Sequence, residues 1–97
     1  PASDLIFALR IKGDSMEPEF KEGDTVIIDP AVAPHPGEFV VAKNGEYEAT
    51  FKKYRSKADG GFELVPLNPD YPSLDSSVNK VTIIGTMIEH RIHRRKR

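Results

Sequence analysis

Glu38-Phe39-Val40-Val41-Ala42-Lys43-Asn44-Gly45-Glu46-Tyr47-Glu48-Ala49-Thr50-Phe51-Lys52-Lys53-Tyr54 reads as a β-hairpin. Two runs rich in β-branched and aromatic residues flank Asn44-Gly45, a dipeptide that takes the positive φ of a tight hairpin turn at little cost. The predicted strands are Glu38–Lys43 and Glu46–Tyr54. Upstream, Pro30 to Pro36 contain three prolines and His35, a stiff loop that no strand can cross, and Gly37 reopens the chain. Downstream, a second hairpin is predicted from Tyr54 to Pro66. It turns near Asp59-Gly60-Gly61 and aims Phe62, Leu64 and Val65 inward.

The same period continues outward in both directions. Leu5–Ile11 alternates, with Phe7, Leu9 and Ile11 on one face and Ile6, Ala8 and Arg10 on the other, and delivers the chain to a Gly13-Asp14 turn. Residues 15–24 hold Pro18, Gly23 and mostly acidic side chains, so at most one helical turn fits there. Thr25–Asp29 is short, β-branched and continuously apolar, as in a strand buried on both faces. Asn68-Pro69-Asp70-Tyr71-Pro72 is a turn-rich loop, and the polar residues 73–79 are expected to lack regular structure. Val81–Ile88 forms the last strand and runs on toward Ile92, with Gly85 marking a bulge or a close backbone approach. There is no helix of ordinary length and no internal repeat. The class is mainly β, with about seven short strands in a partly open barrel or two small sheets.

Ninety-seven residues, 38% hydrophobic and 30% charged, make one small domain with a single core, spanning 1–97. No stretch approaches the roughly 18 apolar residues of a membrane span, and nothing resembles a signal peptide, so no membrane association and a cytoplasmic location are expected. The lack of cysteine removes disulfides, thiol catalysis and Cys-based zinc sites. The net charge of −1 is uneven. Arg91, Arg94, Arg95, Lys96 and Arg97 supply five of the fourteen basic groups, and residues 1–90 hold nine basic against fifteen acidic ones, a net of −6. Such a body repels phosphates and is no DNA-reading surface. The Arg91–Arg97 tail lacks aromatics and is expected to be solvated and partly disordered.

Ser15, in the turn Gly13-Asp14-Ser15-Met16, stands where a nucleophile is held rigid yet exposed. A serine in such a turn is commonly there for its hydroxyl-to-backbone hydrogen bond. A base for Ser15 is offered by Lys52. A lysine acts as a base only when neutral, and near a pKa of 10.4 only about one in 2,500 is neutral at pH 7, a deficit of roughly 4.6 kcal/mol. Burial supplies part of that. Lys52 follows Ala49 and Phe51 on a half-buried strand, and Thr50, two residues earlier on the same face, can orient the amine. Lys53 points the other way, toward solvent. Taken alone, Lys52-Lys53 reads equally as an exposed pair protecting an edge strand. His35 sits between prolines while His90 and His93 lie in the basic end, so neither a Ser-His-Asp triad nor a metal site is expected, and no cofactor is called for.

The ordered set Gly13-Asp14-Ser15-Met16, Pro18, Gly23-Asp24 with its following Val-Ile-Ile-Asp, Gly37 with its Val-Val, Thr50-Phe51-Lys52-Lys53, Leu67-Asn68-Pro69, Tyr71-Pro72 and Ile84-Gly85 resembles the LexA-type self-cleaving proteins (S24 serine peptidases). The similarity runs from Leu5 to about Ile88 and is strongest to the C-terminal domain of temperate-phage repressors. Signal peptidases share the Ser-Met-x-Pro and Gly-Asp pieces, but carry membrane anchors and a later Gly-Asp-Asn-rich box.

The resemblance implies a LexA/signal-peptidase-like fold and a catalytic Ser15/Lys52 dyad supported by Gly13, Asp14, Met16 and Thr50. Such a dyad cuts the protein's own upstream linker, and in this family the cut inactivates a repressor when a RecA filament forms after DNA damage. It also implies a homodimer, with Val81–Ile88 as a candidate seam, and contact with operator DNA only through an N-terminal helix-turn-helix domain. The chain begins at Pro1 and has no Ala-Gly or Cys-Gly dipeptide, so it is expected to be the C-terminal fragment without reader domain and cleavage linker. Two alternatives stay open: a non-cleaving dimerisation module controlled by an antirepressor, and an error-prone polymerase accessory protein of the same family.

Overall fold

The computed structural model describes residues 5–94. Seven strands, β1 (Phe7–Arg10), β2 (Thr25–Asp29), β3 (Phe39–Asn44), β4 (Glu48–Ser56), β5 (Phe62–Val65), β6 (Leu74–Asp75) and β7 (Val81–Arg91), form one sheet in the order β1-β2-β7-β3-β4-β5-β6. Every pairing is antiparallel, and no helix occurs among the described residues. The mainly β class of seven short strands is therefore what the chain adopts, as a single hydrogen-bonded sheet.

β3 lies mid-sheet with β7 on one side and β4 on the other, and it is apolar on both faces. Val41 packs with Ile11, Met16, Phe20, Val26, Ile28 and Phe51, while Val40 and Ala42 pack with Leu64 on the opposite side. Alternation sends successive residues to opposite faces, so the continuous Val40-Val41-Ala42 run serves two cores at once. The larger core centres on Phe20, fully buried between the rings of Phe39, Phe51 and His90. That centre lies in a segment whose acidic, Pro/Gly-rich composition gave it no core role in the sequence.

β7 bends twice. Its pairing skips Ile88 opposite Ile27/Ile28 and Ile84 opposite Val41/Ala42, two bulges that let eleven residues follow a curved sheet. Gly85 stands beside the second bulge, where a Cβ would lie 2.7 Å from Ile28 Cγ2 and 3.0 Å from Pro30 Cα. Bulge and close approach thus coincide.

Four local expectations are corrected. The first hairpin turns through Gly45-Glu46-Tyr47, because Asn44 pairs with Glu48 and the Gly45 N–H is drawn to the Lys80 carbonyl at 2.9 Å. Residues 73–79 contain the short strand β6, recruited by the exposed edge of β5. Lys53 is half-buried, because it lies beside Phe39 and Val65 on the flanking strands. Arg91 still belongs to β7, opposite Thr25; Arg95, Lys96 and Arg97 lie outside the described residues.

Candidate functional site

The loop carrying Ser15 is closed at its neck. The Ile11 N–H donates to the Asp24 carbonyl at 2.8 Å and the Gly23 N–H to the Ile11 carbonyl at 3.0 Å, so residues 12–22 leave and re-enter the sheet at one point. Gly23 has φ +98° and lies against the His93 ring, where a Cβ would come within 3.2 Å of it. Asp24, 3% exposed, locks the neck. Its carboxylate accepts from the His93 N–H at 2.9 Å and the Lys21 N–H at 3.1 Å, and it meets the His90 Nε2 at 2.8 Å. Burial pushes this carboxyl up, but the His93, His90 and Lys21 contacts outweigh it and bring it down to about 2.

Within the loop, Met16 and Phe20 are buried and tie its underside to the core. Gly13 takes φ +74°, its N–H held by the Glu22 carboxylate at 3.2 Å. A one-turn bond from the Phe20 N–H to the Met16 carbonyl at 2.9 Å is the single helical turn the composition permits. From the far side the loop after β5 closes over the Ser15 turn. The Asn68 N–H donates to the Ser15 carbonyl at 3.0 Å, the Asn68 Nδ2 donates to the Asp14 carbonyl at 3.1 Å, and the Tyr71 hydroxyl donates to the Asp14 carboxylate.

Ser15 faces β4. Lys52 Nζ donates to Ser15 Oγ at 3.1 Å and to Thr50 Oγ1 at 2.7 Å, over 37 residues of sequence. β4 places Thr50 and Lys52 on one face by alternation, while Phe51 between them enters the core. Lys52 is half-buried, and burial lowers its pKa below the ordinary lysine value. The Lys52–Ser15 contact is short enough for proton transfer in either direction. A cleft of about 300 Å³ opens beside it, walled by Leu9–Lys12 and by Ala49–Lys52 together with Ser15 and Met16. Both walls are strand edges: β1 is outermost in the sheet, and β5 pairs with β4 only from Lys53 onward.

The structure thus brings together Ser15, Lys52, Thr50 and Met16 around the cleft, with Gly13 and Asp14 shaping the turn behind. His90 and His93 go to Asp24 and none of the described histidines bonds Ser15. Among the described residues no group of three or more His, Asp or Glu is placed to hold a metal ion, and no helix is long and apolar enough to cross a membrane. Sequence reasoning gave Asn68 and Tyr71 no role. Their only signal was membership in the Leu67-Asn68-Pro69 and Tyr71-Pro72 pieces.

The site thus sets a serine and a half-buried lysine in hydrogen-bond contact on an all-antiparallel β domain. The Peptidase S24-like family model matches residues 2–88, and the chain belongs to that family. It is 42% identical over 91 residues to the repressor protein C2 of Salmonella phage P22, covering 89% of this chain and 41% of that protein. It is 42% identical over 87 residues to an HTH-type transcriptional regulator for conjugative element R391 of Providencia rettgeri, covering 84% and 40%. With the prophage repressor CohE of Escherichia coli it shares 34% over 90 residues, covering 91% and 40%. The chain spans about two-fifths of the length of these relatives.

Proposed function

We propose that this chain is the C-terminal domain of a phage- or SOS-type transcriptional repressor and that Ser15 and Lys52 form a dyad that cuts the protein's own upstream linker. The observation that carries the reading is the 3.1 Å contact between Lys52 Nζ and Ser15 Oγ in a family of S24-like peptidases. With Lys52 neutral, the proton moves from Ser15 Oγ to Nζ as Oγ attacks the scissile carbonyl. The N–H groups of Ser15 and Met16 donate to no other group among the described residues and are free for the oxyanion, a contribution worth about 3–4 kcal/mol per donor in hydrolases. Lys52 then gives that proton to the leaving amine; its own neutral amine next takes a proton from water, whose oxygen displaces Ser15 Oγ from the acyl carbon, and the proton passes from Nζ back to Oγ.

Operator contact would come from a reader domain preceding this chain, and homodimerisation through this domain would pair two readers, with a RecA filament as the trigger for cleavage. On β7, β3 pairs with Val81–Thr86 along one edge and β2 with Thr86–Arg91 along the other, so a strand covers each edge over only about half its length. The exposed Ile88 and Ile92 add apolar surface near its C-terminal end for a dimer contact. The relatives are named as repressors and regulators, which also favours a second reading, a non-cleaving dimerisation module under the control of a partner protein.

The test is incubation of the chain, extended through its natural linker, at pH 7 to 10 beside Ser15→Ala and Lys52→Ala. Cleavage by the parent alone, rising about tenfold per pH unit while Lys52 remains mostly charged, is expected. Intact protein at every pH, with RecA filaments present, would leave the dimerisation reading standing.

A further inference from the structure

The Ser15 turn is gripped by a residue that lies 54 positions beyond Asp14 in sequence. Asn68 offers two donors to consecutive carbonyls, its main-chain N–H to Ser15 and its Nδ2 to Asp14. A trans peptide is planar, with its N–H opposite its C=O; among the described residues only Glu17-Pro18 is cis. Fixing the Asp14 carbonyl therefore fixes the direction of the Ser15 N–H, and fixing the Ser15 carbonyl fixes that of the Met16 N–H. Both N–H groups point away from Asn68, and neither has an acceptor among the described residues.

Asn68 is itself held. Its Oδ1 accepts from the Asp70 N–H at 3.0 Å and its carbonyl from the Tyr71 N–H at 3.2 Å, while the preceding Pro66 is buried and Leu67 packs against the larger core. An aspartate at 68 would keep the acceptor and lose the donor, alanine would lose both, and glutamine would set the amide one methylene too far.

We propose that Asn68 is a positioning residue for the oxyanion site: by pinning the peptide planes on both sides of Ser15 it aims the Ser15 and Met16 N–H groups at the developing charge. This rests on the Ser15/Lys52 reading. It differs from a simple brace of the loop in what it predicts, because misaimed donors weaken the transition state and leave the bound substrate largely untouched.

The experiment uses this chain with a supplied peptide of the linker sequence, comparing the parent with Asn68→Ala, Asn68→Asp, Ser15→Ala and Lys52→Ala. At plateau pH, kcat should fall roughly 10- to 100-fold in both Asn68 variants, with KM within about twofold, as a misplacement near 1 Å costs. A peptide boronate, which forms a tetrahedral adduct on Ser15, should lose affinity in parallel, while the N-terminal product peptide binds as before. Thermal melts report folding separately, and Asn68→Asp retains the bond from the Asp70 N–H. Parental kcat in the Asn68 variants, with Ser15→Ala and Lys52→Ala dead, would overturn the positioning role alone. So would a loss of kcat with boronate affinity unchanged. Cleavage surviving in Ser15→Ala would overturn the dyad and this inference together.

Discussion

Asp24→Asn removes one charge and one acceptor from the neck of the Ser15 loop while keeping the side chain's shape. In the parent both carboxylate oxygens are used: Oδ1 takes the His93 N–H, and Oδ2 takes the Lys21 N–H and meets His90. An asparagine has one oxygen for these two sides, so one buried N–H faces an NH2 group. An orphaned buried donor costs about 1–3 kcal/mol, and in a domain of this size each kcal/mol moves the melting temperature by about 4–8 °C. A fall of roughly 5–20 °C is therefore expected at pH 7. The pH dependence separates this cause from mere repacking. The Asp24 pKa of about 2 in the folded chain lies below its ordinary 3.8, so on acidification the unfolded chain takes the proton first. The stabilisation is fully present well above pH 3.8 and is lost as pH falls through about 2. The amide of the Asp24→Asn variant has no proton to take in this range, so the gap between parent and variant should be widest near neutrality and shrink from about pH 5 toward 2. Melting curves by circular dichroism across this range measure both. A gap of constant width, or none at neutral pH, would refute the assignment of Asp24 as the lock of the loop.

Thr50→Val keeps the shape beside Lys52 and removes the 2.7 Å acceptor; one such hydrogen bond is worth about 1 kcal/mol, so the plateau cleavage rate should drop about fivefold, and an unchanged rate excludes an orienting role. Gly85→Ala forces a Cβ to 2.7 Å from Ile28 Cγ2 and 3.1 Å from the Asp29 carbonyl carbon. Backbone on one side cannot give way, so a loss of about 1–3 kcal/mol is expected in denaturant titrations, and parental stability would show that β2 and β7 can separate freely.

Apart from β6, the strands were legible because each element's period agrees with its burial. Phe7, Leu9 and Ile11 alternate inward, and Gly45 opens the turn of the first hairpin one residue later than the Asn44-Gly45 dipeptide suggests. Ser15 and Lys52 were legible as a pair because a serine turn needs a base and the strand period puts Thr50 and Lys52 on one face. What escaped was non-local. Phe20 stands alone among acidic residues and becomes the core's centre only when β3, β4 and β7 bring Phe39, Phe51 and His90 around it. Asp24 and His90, 66 positions apart, carry no shared pattern, since neither a period nor a spacing encodes a side-chain bond across a fold. Asn68 was readable as a turn former, which it is through its Asx bond to Asp70; its second use, toward Asp14 and Ser15, exists only after the loop following β5 folds back.

The half-burial of Lys52 reflects two opposed demands of the proposed chemistry. Complete burial would make the amine neutral and idle behind a wall, whereas full exposure would leave it charged and unable to take the Ser15 proton. The cleft meets both, because its walls are strand edges with unused main-chain groups on β1 and on the Glu48–Lys52 half of β4. An extended peptide entering there can take up those groups as an added strand. It also displaces the water that keeps Nζ charged, so occupancy of the cleft and activation of the base rise together. In the proposed function the slow step is then presentation of the linker. A supplied peptide should therefore be cut with an apparent Lys52 midpoint lower under saturating than under sparse substrate, measured as kcat against kcat/KM over roughly pH 7 to 10. Coincident midpoints would mean that the peptide leaves the amine as wet as it found it, and that burial by the fold alone sets the base.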